Sequence, residues 1–190
     1  LGPLLLAAGA DLGYGWYDSS RTIDLASGSA KAKASPEAFN AGLHARAAWE
    51  VPFAHWYLQP RLDLDATYLW LDGYTEDGAG AFDLKVQSSD EVVLSATPAV
   101  EIGARADMED GSVLRAYASL GVSLYGSNNW TTDARFAEAP SGTGGFQSEL
   151  DNPNAVARIS AGVDVMTQGA LDIRLQYDGG FASGYTSNSG

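Results

Sequence analysis

Residues 58–73 read LQPRLDLDATYLWLDG. Taken alternately, Leu58, Pro60, Leu62, Leu64, Ala66, Tyr68 and Trp70 fall on one side, and Gln59, Arg61, Asp63, Asp65 and Thr67 on the other. A period of two over this length is the spacing of a β-strand with two unlike faces. One face is apolar and ends in aromatics; the other is charged. Strands of soluble proteins run about 5 to 6 residues, whereas a tilted strand that crosses a bilayer needs about 9 to 11. This stretch meets the second requirement.

The pattern recurs along the whole chain. Long alternating segments run from Leu4 to Tyr17, Phe39 to Val51, Trp56 to Leu71, Val92 to Met108, Val113 to Tyr125, Ala155 to Thr167 and Leu171 to Phe181. Short connections sit at PFAH (Pro52 to His55), EDGS (Glu109 to Ser112) and QGA (Gln168 to Ala170). Long ones, rich in Ser, Gly, Asn, Thr and Asp, follow Tyr17, Leu71 and Tyr125. Short and long ends therefore lie on opposite sides of one up-and-down antiparallel meander. No composition break divides it, so residues 1–190 are expected to form a single domain.

The apolar faces carry no charge. The opposite faces hold Asp11, His44, Arg46, Glu50, Arg61, Asp63, Asp65, Glu101, Arg105, Asp107, Arg115, Arg158, Asp164, Asp172, Arg174 and Asp178. Trp16, Tyr68, Trp70, Tyr177 and Phe181 fall toward the long-loop ends of their segments, and Trp49, Phe53 and Trp56 at the short-turn ends. In a soluble sandwich, such as a lectin, large aromatics would gather mid-strand in the core. Girdles at both ends match a barrel in an outer membrane, with short turns periplasmic and long loops extracellular. A charged residue on a lipid face at midplane costs about 2 to 4 kcal/mol, which explains the clean apolar faces. The expected fold is all-β, an antiparallel up-and-down transmembrane β-barrel.

Composition agrees. The chain has 190 residues, 45% of them hydrophobic, no Cys and a formal charge of −13, with 24 acids against 11 scattered bases. That balance argues against nucleic acid as a partner. No apolar run of about 18 residues or more marks a membrane-spanning helix. The opening LGPLLLAAGAD could pass for the apolar part of a signal peptide, but it lacks a positive leader, and its alternation continues through to Trp16. Because the first residue is Leu, the sequence reads as a processed or excised piece.

A family resemblance rests on three stretches: GYGWYDSSRTID (13–24), LQPRLDLDATYLWLDGYTEDGAGAFDLKV (58–86) and LDIRLQYDGGFASGYTSNSG (171–190). Together they resemble the strand and loop segments of autotransporter translocator barrels, the C-terminal domains of type V secretion in Gram-negative bacteria. The resemblance implies a twelve-stranded barrel, of which about seven long strands are visible, lacking N-terminal strands and the final one. It also implies protein transport: export of the chain's own passenger, a linker helix in the lumen, insertion by the outer-membrane assembly machinery, and contact with outer-membrane lipid. A smaller, eight-stranded structural or pore-type barrel remains the alternative in fold.

Chemistry is sparse. His44 and His55 are the two histidines, and no HxH, HExxH or Cys set accompanies them. A hydrolase would need His44 as base with Glu50 or Asp63 as its orienter, and nothing singles out a nucleophile. DGYTEDGAG (72–80) offers Asp72, Glu76 and Asp77, yet fits no calcium-loop spacing and reads as a tight turn with solvated acids. Asp18 and Arg21 could pair to brace the first long loop. The reading is therefore of a non-enzyme without cofactor or metal.

Overall fold

The computed structural model describes residues 3–26, 28–126, 129–140, 142–168 and 172–190. The strands are β1 (Leu4–Trp16), β2 (Ser19–Leu25), β3 (Gly28–Ala34), β4 (Glu37–Trp49), β5 (Val51–Pro52), β6 (Trp56–Leu71), β7 (Tyr74–Thr75), β8 (Leu84–Val86), β9 (Ser89–Asp107), β10 (Val113–Tyr125), β11 (Asn129–Phe136), β12 (Phe146–Asp151), β13 (Ala155–Met166), β14 (Asp172–Ala182) and β15 (Tyr185–Ser189). One 3₁₀ turn, Gly80–Phe82, interrupts them, and no α-helix occurs among the described residues.

The main sheet has the order β1-β4-β6-β9-β10-β13-β14-β15, antiparallel throughout, with β5 pairing β6. Each long strand pairs with its successor among the long strands, which is the expected meander. The sheet is not closed: β1 and β15 stand at its edges. All seven expected segments are strands, with boundaries shifted by a few residues. The turn residues Gly169 and Ala170 and the segment start Leu171 lie outside the described residues. A short eighth strand, β15, continues the sheet through Tyr185, where the sequence reading had only the last outer loop. Its residues YTSNS alternate no apolar pattern, and the pairing of Phe181 with Thr186 holds it in place.

The distribution of exposure is that of a molecule turned inside out. Leu6, Leu12, Trp16 and Leu175 are each more than 70% exposed, whereas Glu101 and Asp164 are 2% and 3% exposed. Buried apolar residues among those described are mostly small: Ala32, Ala48, Ala99 and Ala134, with Val86, Val156 and Tyr57. A water-soluble sandwich would reverse this. Register locks the two faces apart, since a slip of one residue would move every apolar side chain to the charged side.

Local chemistry sets the turns. At EDGS the Met108 N–H donates to the Ser112 C=O at 2.8 Å and the Gly111 N–H to the Met108 C=O at 2.9 Å. Gly111 has φ +80°, a conformation open to glycine, and the Asp110 carboxylate accepts the Ser112 N–H at 2.9 Å.

The three long connections are not irregular loops. The first is the β2-β3 hairpin, and the second and third join in a four-stranded sheet of order β12-β11-β8-β7. A two-way backbone bridge between Lys33 and Asp77, 2.9 Å in each direction, ties the hairpin to that sheet. Asp72 bonds Glu37 and Asp77 bonds Lys33, so five residues on one strand oppose four on the other. That extra residue is a bulge, and along β6 and β7 the exposed positions change accordingly from Leu62, Leu64 and Tyr68 to Thr75 and Asp77.

Candidate functional site: the charged face of the sheet

Register brings the charged residues of successive strands opposite one another. Arg46 faces Asp63, His44 faces Asp65, Arg115 faces Asp164, and Asp164 faces Arg174. The outcome is a row of alternating sign across six strands. Arg46 Nε on β4 donates to Asp63 on β6 at 2.5 Å, and Asp63 lies 3.5 Å from Arg61 of the same strand. Arg61 reaches Glu101 on β9 at 3.3 Å, and Glu101 is bonded by Arg115 of β10. Arg115 donates to Asp164 on β13 at 2.9 Å, and Arg174 on β14 donates to the other oxygen of that carboxylate at 2.8 Å. A buried carboxylate is tolerated only when paired and hydrogen-bonded, and each of the two deepest has at least two cations against it.

Tyr57 is the pivot of this row. Its hydroxyl donates to Glu101 at 2.7 Å and accepts from Arg115 Nε at 2.7 Å. Arg105 lies over its ring, 4.5 Å from the centroid, and is held from beyond by both oxygens of Glu50 at 2.9 and 2.7 Å. The ring covers Gly103, where any Cβ would fall inside it. Sequence reasoning passed over Tyr57, although its odd number places it with Gln59, Arg61 and Asp63 on the charged face.

His44 sits apart from this row. Asp65 lies against Nδ1 at 2.7 Å and Asp11 against Nε2 at 2.5 Å, while Asn40 donates to Asp11 at 3.0 Å and Ser95 to Asp65 at 3.2 Å. Two carboxylates on the two ring nitrogens make both nitrogens donors, so no acceptor nitrogen faces a hydroxyl nucleophile. The orienters considered from sequence are engaged elsewhere, Glu50 by Arg105 and Asp63 by Arg46. Arg158 reaches Ser123 and Tyr125, and Asp178 accepts from Gln176 at 2.7 Å. Asp172 accepts the Thr167 N–H at 3.2 Å, and Asp107 pairs in register with Val113 at the short-turn end.

Two other expectations are corrected. Arg21 does not pair with Asp18: it reaches Glu76 at 2.5 Å and the Phe82 C=O at 2.9 Å, while Asp18 accepts from Ser35 at 3.0 Å. Glu76 is therefore not a solvated turn acid; it is 9% exposed and also accepts the Leu84 N–H. Arg21 above all, with that N–H, holds its carboxyl below the usual range against the opposing effect of burial. Among the described residues no cluster of three or more His, Cys, Asp or Glu is placed to hold a metal.

The aromatics stand as follows. Trp16 faces Glu37, Trp70 faces Phe39, Tyr68 faces Ala41, and Phe181 faces Thr186. Trp49 faces Leu4 at the opposite end, and Phe53 stacks on Trp56 with centroids 3.9 Å apart. Tyr177 stands in the middle of β14, opposite Ala161, and its hydroxyl donates to Asn188.

On the charged side, seven consecutive strands of the meander enclose a polar hollow of about 540 Å³, with His44, Arg61, Arg158, Asp178 and Ser189 in its wall. Compared with known families, residues 1–178 match the one described as Autotransporter beta-domain. The chain belongs to the autotransporter beta-domain family. No curated protein matches it. An autotransporter beta-domain is an outer-membrane translocator for a passenger domain rather than a catalyst, and its all-β architecture is that of a type V secretion barrel. No helix among the described residues of this beta-domain is long and apolar enough to cross a membrane.

Proposed function

We propose that this beta-domain carries its passenger through, or alongside, a lumen lined by the alternating charged row, with the apolar faces against outer-membrane lipid. The observation that carries the reading is the hollow: seven strands curve around the side that holds His44, Arg61, Arg158 and Asp178. In this reading the lumen wall as a whole is formed by Asp11, His44, Arg46, Glu50, Arg61, Asp63, Asp65, Glu101, Arg105, Asp107, Arg115, Arg158, Asp164, Asp172, Arg174 and Asp178, of which His44, Arg61, Asp65, Arg158 and Asp178 border the hollow. Trp16, Trp49, Trp56, Tyr68, Trp70 and Phe181 form the interface girdles, while Tyr177, at mid-strand on β14, stands between them. The short turns face the periplasm, and the sheet of order β12-β11-β8-β7 with the β2-β3 hairpin forms an outer sheet that faces the cell exterior.

The work is physical. A wall of mixed sign solvates a polar chain in transit, or a resting linker helix, without gripping it, because the charges of the alternating row already have partners. An open sheet edge in hydrocarbon would leave backbone groups unpaired. Further strands of the same protein therefore complete the wall beside β1 and β15, and the outer-membrane assembly machinery inserts it. The test is bilayer conductance of the full-length protein with Arg46, Arg61 and Arg115 changed to Gln. Removing three cations shifts ion selectivity toward cations and alters passenger export; unchanged selectivity and export would overturn the lumen assignment.

A further inference from the structure

Several side chains that bear charge border the hollow on the charged side of the sheet, and all but two of them have an opposite charge against them. Arg61 lies 3.3 Å from Glu101, and His44 joins Asp65 to Asp11. Arg158 and Asp178 form no ion pair among the described residues. One is a cation and the other an anion, so the charge that the hollow leaves unmatched sums to zero.

Neutral groups hold each of the two instead. Arg158 Nε donates to Ser123 at 3.1 Å and Nη2 to the Tyr125 hydroxyl at 2.7 Å, while Asp178 accepts from the Gln176 amide at 2.7 Å. Ser123, only 5% exposed, accepts from Thr97 as well. Its own proton and that of the Tyr125 hydroxyl have no acceptor among the described residues. The Arg158 end of the hollow is therefore rich in donors, and the Asp178 end offers an acceptor.

Register sets the spacing of the two charges. Arg158 is opposite Gly180, and a Cβ there would stand 2.8 Å from its Nη1, so the guanidinium lies over Gly180. Asp178 is two residues away along β14 and on the same face, a distance of about 7 Å. Glycine at 180 leaves the space between the charges clear. Such a gap is too long for a direct ion pair. It suits a molecule that carries both charges itself, with a charge-assisted hydrogen bond at each end.

We propose that Arg158 and Asp178 bind a small zwitterion, an α-amino acid whose carboxylate sits on Arg158 with Ser123 and Tyr125 and whose ammonium sits on Asp178. The arginine fork suits a carboxylate, and the two hydroxyl protons supply further donors to it. The rest of the hollow, which spans about 540 Å³ and is bordered by Ser95, Thr97, Ser119, Ser160 and Ser189, takes a short polar side chain. The proposal rests on the reading that this side of the sheet faces an aqueous lumen.

The test adds L-serine to the full-length protein in detergent micelles and reads saturation transfer from protein to ligand by NMR. Hydroxypropionate, which lacks the ammonium, and ethanolamine, which lacks the carboxylate, are the controls. Serine binds at least about ten-fold more tightly than either, the loss expected for a missing hydrogen bond to a charged group. Arg158→Gln and Asp178→Asn each weaken serine by a similar factor. If a variant does not fold, the three ligands compared on the wild type decide alone. Absence of transfer to serine, equal affinity for the three ligands, or undiminished affinity in a folded variant overturns the proposal. Labelling of Ser189→Cys by a water-soluble maleimide, beyond that of the wild type, reports on the lumen separately. With that cysteine labelled, those outcomes leave the lumen reading standing; a cysteine that resists the reagent overturns the lumen reading and this proposal with it.

Discussion

Arg115 on β10 and Asp164 on β13 are direct cross-strand partners, and Arg174 reaches the second oxygen of the same carboxylate from β14. One side chain thus joins three strands from a position only 3% exposed. Asp164→Asn keeps the volume but removes the charge that both guanidiniums share. Because the Arg174 side chain is 67% exposed and keeps its water, the loss falls near that of a hydrogen bond to a charged group, about 1 to 3 kcal/mol. Urea unfolding of the full-length protein in lipid vesicles measures it; an unchanged midpoint would contradict the stabilising role of this carboxylate.

Gly103 lies beneath the Tyr57 ring, and the ring is fixed by Glu101 and Arg115. A methyl group at position 103 has to displace the ring, so Gly103→Ala destabilises by about 1 to 3 kcal/mol, the usual cost of overpacking. Tyr57→Ala removes the obstacle. The double variant is therefore less destabilised than the sum of the singles, and strict additivity in the cycle would show that the two sites do not touch.

Leu43 is the central residue of β4 and is 65% exposed on the apolar face. Placing Arg there costs about 2 to 4 kcal/mol if that face meets the middle of a bilayer. Thr67→Arg, on the opposite face and opposite Gly42, is the control. Protease protection after folding into vesicles should fall for Leu43→Arg and hold for Thr67→Arg. Equal behaviour of the two would sink the assignment of faces.

The Arg21–Glu76 pair gives the outer sheet a pH dependence of known sign. The folded Glu76 carboxyl titrates below its unfolded value of about 4.3, so its contribution is complete above that pH and is lost as pH falls through the lowered folded value. Hydrogen exchange at Leu84, whose N–H donates to Glu76, reports the change. Leu84 stays protected at neutral pH and opens as pH falls through the lowered folded value of Glu76, and Glu76→Gln opens it already at neutral pH. Protection unaffected by either would remove Glu76 as the brace.

The long strands were legible in the sequence because a two-faced strand writes its period directly into residue types, as Leu62, Leu64 and Asp63, Asp65 do. The charged set was legible for the same reason. Partners within it were not: His44 was matched with Glu50 or Asp63, whereas the β4-β6 register puts His44 across from Asp65 and Arg46 across from Asp63. Register depends on turn geometry, which composition does not disclose. The outer sheet was missed for a different reason. Its pairings, such as Lys33 with Asp77 and Lys85 with Arg135, join remote segments, and their Ser, Gly, Asn and Asp content signals turns locally.

The alternating row has a consequence for assembly of the wall itself. From β4 to β14 the signs run plus, minus, plus, minus, plus, minus, plus, and each strand therefore suits only its proper neighbour. Exchange β9 with β10, and Arg61 meets Arg115 while Glu101 meets Asp164. Antiparallel backbones pair almost indiscriminately, so something in the side chains has to tell one strand from another. Here the charged row itself spells out the order in which the staves of the sheet must be set.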